Sequence, residues 1–314
     1  MKNILLFITC IALCCASCSK KNTPAHPGEG QGYNLSGSLY FDWATDGILK
    51  MDLRTGESVS ILASDVRRNG WDISRDAKQL LYATASPDHD YDANQYTNIR
   101  VSDLDVVYQF KYYPTEREDS YGLLSPDETM IAVEPTFDDG IIILNQQGDV
   151  LANLDELGET KLRINVTRHA WMPDNSLLFT IGDHIYLSNT AFTAATLIKT
   201  VDNIGYRAWD ALVVSPDGKK VAFTRGGHVW MMNSDGRNLA QITGSDLHEK
   251  ACTFSPDGNY LLIGTEYVNN SWYLAVIPAD GRQYNVGDED ADGRVIFLYD
   301  GNIRQKGDGF AYWR

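Results

Sequence analysis

Short apolar stretches alternate along this chain with polar turns, and no window repeats its apolar positions at the helical period. The stretches come in pairs flanking a similar turn. WDISRDAKQLLYAT carries Asp76 in that turn, YGLLSPDETMIAVE Asp127, HAWMPDNSLLFTIG Asp174, LVVSPDGKKVAFTR Asp217 and CTFSPDGNYLLIGT Asp257. Successive aspartates lie 51, 47, 43 and 40 positions apart, a period that marks a repeat architecture. Pro presets an early turn angle, Asp bonds back to nearby amides, and Gly takes a positive φ without strain, so the SPDG element reads as a turn between two strands.

A third strand follows each pair. His228-Val229-Trp230-Met231-Met232-Asn233-Ser234-Asp235-Gly236 aligns with IIILNQQG from Ile141 and YLAVIPADG from Tyr273, and GILKMDLRTG from Gly47 is a variant. VLANL, TLIKT and LAQIT then supply fourth strands. Four strands per unit of about 40–50 residues is a propeller blade. Five units have an evident first strand. Ser38 to Asp42 starts a sixth in the position of a second strand, and Gly309 to Arg314 resembles a first strand stopping where its turn would come. The sequence therefore predicts an all-β, six-bladed β-propeller of four-stranded blades, its ring closed by a C-terminal strand that completes the first blade and removes two open edges.

The recurring FSPDG and MPDN turns, with the third-strand pattern HVWMMNSDG, resemble the repeats of TolB-like propellers, which also occur in the non-catalytic domain of dipeptidyl peptidase IV relatives. The resemblance spans 38–314 and is sharpest from Trp209 to Gly281. It implies fold, and leaves function open between protein binding, scaffolding and enzymes.

The first residues stand apart. Met1-Lys2-Asn3 is a short positive start, Ile4 to Leu13 an apolar run, and Ala16-Ser17 small residues before Cys18, the layout of a secretory signal. CCASCSKK resembles a bacterial lipoprotein signal, which implies a signal peptide over 1–17 and lipidation of Cys18; ordinary secretion with cleavage near Ser17 is the alternative. Residues 18–37, with Pro24, Pro27, Gly28, Gly30 and Gly32, read as lipid anchor and flexible tether, reaching about 25 Å. Of five cysteines, four fall in or at the end of the signal, so Cys252 alone remains and no internal disulfide framework is available. Ser19 rather than Asp after Cys18 points to outer-membrane retention, and Lys20-Lys21, in place of an acidic export signal, to the periplasmic face, with surface exposure the alternative. The formal charge is −15, and with no basic stripe it argues against nucleic acid and against a membrane contact beyond the lipid.

Candidate chemistry lies where loops enter the innermost strands and converge on the central channel. Those loops carry Arg68, Asn69 and Trp71; Asp119 and Tyr121; Arg168 and His169; Arg207, Trp209 and Asp210; and His248, Glu249 and Lys250. Aromatics among charges suit a sugar or a peptide. Alternatively, Trp71 and Trp209 pack between blades, which would shift the reading from a glycan towards a protein contact. Asp288, Asp290 and Asp292 precede Gly293 in the manner of a calcium loop, without the bidentate Glu at the twelfth position, and a solvated acidic turn is the competing reading. G-x-S-x-G, H-E-x-x-H, Cys-rich metal spacing and sialidase repeats are absent from the sequence. The sequence therefore points to an envelope lipoprotein whose propeller binds a protein partner or glycan. The alternatives are a carbohydrate-active or peptide-processing lyase or hydrolase at the channel mouth, and an assembly module with a flat apolar side patch.

Overall fold

A computed structural model describes residues 32–43, 45–86, 93–113, 120–136, 140–157, 160–161, 166–202, 204, 209–287 and 291–314. Every regular element among them is a β-strand, arranged as six antiparallel four-stranded blades. Blade one joins Ala311–Trp313 to Ser38–Trp43, Gly47–Asp52 and Ser58–Leu62. Blade two runs from Arg68–Ile73 at the channel through Gln79–Ala85 and Asn94–Arg100 to Val106–Tyr112 at the rim. Gly122–Leu124, Val166–Trp171, Trp209–Val214 and Glu249–Phe254 open the remaining four blades in the same way. Blades five and six have short fourth strands, Ala240–Gln241 and Ile296–Phe297, and blade six adds a pairing of Lys306–Gly307 with its third strand.

The core is divided as the ring is. Six clusters of buried apolar residues fill the six blade junctions, for example Tyr40, Ile48, Trp71 and Ile73 between blades one and two, and Leu178, Trp209, Leu212 and Phe223 between blades four and five. Each blade buries both faces, which is why its middle strands are apolar in successive positions rather than alternating. Indole N–H groups stitch the junctions: Trp71 donates to Asp42 Oδ2 (2.7 Å), Trp171 to the Leu123 carbonyl (2.9 Å) and Trp209 to the Gly182 carbonyl (2.7 Å). A buried indole needs such a partner, and here each partner belongs to the preceding blade.

The ring closes as expected. Trp313, Tyr312 and Ala311 pair with Leu39, Tyr40 and Phe41. Beyond the strand pairing, Tyr312 Oη donates to the Trp71 carbonyl (3.0 Å), and the Arg314 guanidinium donates to the Ile73 and Ser74 carbonyls. The closing strand thus grips the blade on its far side as well. Tyr33 and Leu35 are buried against it, and Trp313 Nε1 donates to the Ser36 carbonyl (2.8 Å). Within the stretch read as tether, Tyr33 and Leu35 are thus part of the packed body, because two apolar side chains there find a core.

The SPDG turns are one construction repeated. Ser215 Oγ accepts from the Lys220 amide (2.9 Å) and donates to Asp217 Oδ1 (2.7 Å), which accepts from the Lys219 amide (3.0 Å). Ser255 and Asp257, Ser74 and Asp76, and Ser125 and Asp127 repeat the bond between hydroxyl and carboxylate. The next residue takes a positive φ in all five copies: Ala77, Glu128, Asn175, Gly218 and Gly258. These turns surround one end of the channel, and Arg75 reaches across it towards the Pro216 carbonyl (3.5 Å).

Candidate functional site

The innermost strands of all six blades surround a cavity of about 510 Å³ along the ring axis. Its far end, opposite the SPDG turns, is where these strands begin. There, in blades two, four and five, the regular pairing with the second strand breaks, the register shifting between Arg68 and Gly70, Val166 and His169, and Trp209 and Ala211; in blade six the shift lies further in, between Ala251 and Thr253. A bulge re-aims side chains and ends ladder pairing. Asp210, between buried Trp209 and Ala211, is consequently exposed at this mouth.

Tyr121, Arg168, His169 and Asp210 all line the cavity. Trp71, Trp209, His248 and Glu249, also expected there, do not line it. Trp71 and Trp209 are 1% and 3% exposed; both are inter-blade stitches, and Trp209 is further covered by Phe223 and by the Arg225 guanidinium 4.8 Å from its ring. An apolar ring with its N–H satisfied in a blade junction has no face left for a ligand, so of the two readings of these indoles the packing between blades holds. Glu249 is wholly buried and turned to blade five, accepting from His228 Nδ1 (2.6 Å), Thr243 Oγ1 (3.0 Å) and Ser245 Oγ. His248 is exposed and lies against Gly227, where a Cβ would meet its Cδ2 at 3.2 Å. Arg207 and Asp119 fall outside the described residues.

The mouth has two unlike walls. Blades one and three contribute Phe310 and Tyr121, whose rings meet edge to face with centroids 4.7 Å apart. Gly70 makes that contact feasible, since a Cβ there would lie 2.7 Å from Tyr121 Cγ and 3.1 Å from Phe310 Cε2. Asp42 holds Phe310 in place, its Oδ2 accepting both the Phe310 amide (3.1 Å) and the Trp71 indole. Burial raises the Asp42 carboxyl above the usual carboxylate range. Trp71 thus serves the mouth indirectly, by fixing the carboxylate that fixes Phe310. The opposite wall, from blades four to six, carries Arg168, Asp210 and Lys250.

Deeper in, Asp72 accepts the Leu124 amide (2.7 Å) and the Ile73 amide (2.8 Å), with Arg314 4.0 Å away. Desolvation raises the Asp72 carboxyl and lowers the Arg314 guanidinium, each penalised for carrying charge in a buried place. His169 is buried, and desolvation pushes it down to about 4, which keeps the imidazole neutral near pH 7. Its Nε2 finds no partner among the described residues. Sequence reading did not single out Asp72, Phe310 or Arg314 for the channel; the position of each first strand relative to its turn was the signal that could have placed them on its wall.

Of the three aspartates of the acidic loop, Asp292 is described, and its Oδ2 accepts the Asn285 amide (2.7 Å). Asp288 and Asp290 lie outside the described residues, as does Cys18. Among the described residues, no three His, Cys, Asp or Glu side chains group as a metal site.

No family model matches the chain, and neither does any curated protein sequence. Solved structures do match. TolB from Acinetobacter baumannii superposes with a TM-score of 0.60 at 16% identity, over 89% of this chain and 67% of that one. A putative TolB from Agrobacterium tumefaciens gives 0.57 at 16% identity, over 89% and 98%. A chain of a nidogen/laminin complex gives 0.58 at 12% identity, over 88% and 97%. Identities this low speak for fold and not for ligand. Together with six four-stranded blades and their repeated SPDG turns, these matches give the chain a TolB-like six-bladed β-propeller fold.

Proposed function

We propose that this chain is a non-catalytic binding module of the bacterial cell envelope, and that a segment of a protein partner seats at the channel mouth. The observation that carries this reading is the mouth itself. Tyr121, Arg168, Asp210, Lys250 and Phe310 border one cavity there, to which every blade contributes. The burial of Trp71 and Trp209 removes the flat faces on which the glycan alternative rested. A lyase or hydrolase would need an acid pair or a His–acid pair converging on the cavity. The His228–Glu249 pair lies outside that lining; within it, Asp72 is engaged by two backbone amides, and His169 forms no side-chain hydrogen bond with Asp72 or Asp210 among the described residues.

The envelope assignment rests on the leader, with Cys18 as the lipidated residue, outer-membrane attachment and a periplasmic orientation. Residues 32–37 border the Asp52–Arg54 turn and the Ser255–Asn259 turn, at the same end as the SPDG turns. A lipid at Cys18 would therefore tether the propeller by its turn end and leave the mouth facing away from the membrane. Cys18→Ala should abolish palmitate labelling; persistent labelling would move the anchor elsewhere. Calcium at Asp288, Asp290 and Asp292 competes with a solvated acidic turn; calorimetric titration of chelator-treated protein should give binding heat if the loop takes the ion, and none up to millimolar calcium if it is the turn. Binding at the mouth is tested by placing a photo-crosslinking residue at position 210, and in a second variant at position 217, in living cells. A discrete adduct from 210 that is absent from 217 supports the reading. Adducts confined to 217, or equal at both, would overturn it.

A further inference from the structure

In blade six the second and third strands, Tyr260–Val268 and Ser271–Pro278, are longer than their counterparts in blade five, Lys220–Arg225 and His228–Asn233. The excess lies at the mouth end. Glu249, where the first strand begins, pairs with Thr265, and the hairpin runs on to a final pair, Val268 with Ser271. Asn269 and Asn270 turn the chain with φ of 53° and 59°, as a two-residue hairpin turn requires. Joining two strands needs no such extension: in blade five the pair Arg225 and His228 is closed by Gly226 and Gly227 alone.

The extension carries an aromatic pair that the blade junctions do not use. Trp272 lies over Gly264, where a Cβ would meet Trp272 Cβ at 2.8 Å and Cγ at 2.9 Å. Glycine weakens a strand interior, and here its missing side chain lets the indole approach the backbone. Tyr267 packs on that indole, the ring centroids 4.7 Å apart and the planes inclined by 39°. Its hydroxyl donates to Asn270 Oδ1 (3.0 Å). Ring and hydroxyl are both held, yet Tyr267 is 50% exposed, as a ring with one face covered and the other open would be. Trp71, Trp171, Trp209, Trp230 and Trp313 each donate the indole N–H to a carbonyl or carboxylate. The N–H of Trp272 is bonded to no described residue. Neither Tyr267 nor Trp272 borders the channel cavity or belongs to the core clusters on either side of blade six.

We propose that the Tyr267–Trp272 pair is a sugar platform, separate from the channel mouth, that takes a β-1,4-linked oligosaccharide of gluco configuration. The face of an aromatic ring carries negative potential, and it attracts the C–H groups that cover each face of a pyranose whose hydroxyls are all equatorial. The side-chain amides of Asn269 and Asn270 and the Trp272 N–H supply the polar groups beside the rings that such hydroxyls need. A ring already fixed by its backing and its hydroxyl loses little freedom when a ligand arrives. Size favours this ligand over a protein surface. A stable protein contact covers about 800 Å² per partner, whereas two fixed rings near a hairpin tip match one or two sugar units. The platform stands beside the binding-module reading and does not depend on it.

The experiment uses the full chain without its leader, titrated by calorimetry with cellohexaose and with chitohexaose. At least one is expected to bind with a dissociation constant below about 1 mM. Tyr267→Ala and Tyr267→Leu, the second apolar but not flat, should each weaken binding about tenfold or more. Tyr267→Phe keeps the ring and should stay within about threefold of the parent. Tyr121→Ala, at the channel mouth, should leave the affinity unchanged. Melting curves of the position 267 variants should match the parent, because the side chain is half exposed. No binding of either sugar at millimolar concentration would overturn the inference. So would an affinity that survives both Tyr267→Ala and Tyr267→Leu, or one lost with Tyr121→Ala, which would put the sugar in the channel. Absent sugar binding together with a discrete protein adduct from a photo-crosslinking residue at position 269 would make the tip a protein contact and overturn the ligand class. None of these results bears on the adduct expected from position 210, so the two readings fail separately.

Discussion

The two ends of the channel are made from the same six innermost strands, but they are built by opposite rules. At the turn end, a hydroxyl, a carboxylate and a residue of positive φ recur from blade to blade, and successive turns bind one another: Asn175 Nδ2 donates to Asp127 Oδ2 (2.6 Å), and Lys220 Nζ to the Gly258 carbonyl (3.2 Å). At the mouth no residue recurs. Tyr121, Arg168, Asp210, Lys250 and Phe310 line it among the described residues, two aromatics, two cations and a carboxylate contributed by five blades. A ring needs uniform joints, so repetition marks what holds the blades together. Departure from the repeat marks where the chain is released from that duty and can serve a ligand.

The largest expected effect lies in the joints. Trp313 is 2% exposed, packs against Tyr260 and the strands of blades one and six, and ties down Ser36 through its indole. Trp313→Ala should lower unfolding free energy by about 3–5 kcal/mol, whereas Lys250→Ala at the mouth should stay within about 0.5 kcal/mol. Urea denaturation of the two variants measures both. If Lys250→Ala destabilises as Trp313→Ala does, the mouth is part of the joint after all.

His169 blurs the division usefully, because it lines the cavity while being buried as a joint residue is. Its folded state titrates near pH 4, against 6.5 in the unfolded chain. The unfolded chain therefore takes up the proton first as pH falls. Stability from this residue is complete above about pH 6.5 and is lost as pH drops towards 4, by at most about 3 kcal/mol. His169→Gln should flatten the pH dependence of stability across that window relative to the parent. An unaltered slope would show that His169 takes up its proton as readily in the folded protein as in the unfolded chain.

Much of this was legible in the sequence, and the reason is the repeat. Five aspartates in register located the turns, the turns located the strands, and the incomplete unit at Ser38 required Ala311–Trp313 to close the ring. The site was less legible because the same residue types serve both ends. Trp209 and Tyr121 are each aromatic residues beside a first strand, and only the position of the preceding blade decides that one is sealed by Gly182 and Phe223 while the other meets Phe310 above Gly70. Likewise, Glu249 and Lys250 are neighbours in sequence, but alternation along a strand sends the first into the junction and the second to the cavity. A bulge reverses such alternation, and nothing in Trp209-Asp210-Ala211 as a string announces one.

The smallest effects test the uniformity of the turns. Gly218 and Gly258 occupy the positive-φ position at +71° and +69°. A Cβ on Gly218 would lie 2.9 Å from Pro173 Cδ in the preceding turn, whereas on Gly258 the nearest atom is Pro216 Cδ at 3.9 Å. Gly218→Ala should therefore cost more than the roughly 1–2 kcal/mol of left-handed strain, and Gly258→Ala about that strain alone. Ala77 holds the same position at φ 58°, so Ala77→Gly relieves strain. It also loses a methyl packed against the core of blades one and two and adds freedom to the unfolded chain. These terms oppose one another and leave a gain of at most about 0.5 kcal/mol. Chemical denaturation should rank the three in that order, with Ala77→Gly alone at or above the parent. If Ala77→Gly proves as harmful as Gly258→Ala, the blade-two turn depends on its side chain rather than on its backbone, and the five turns are alike in outline but not in what holds them.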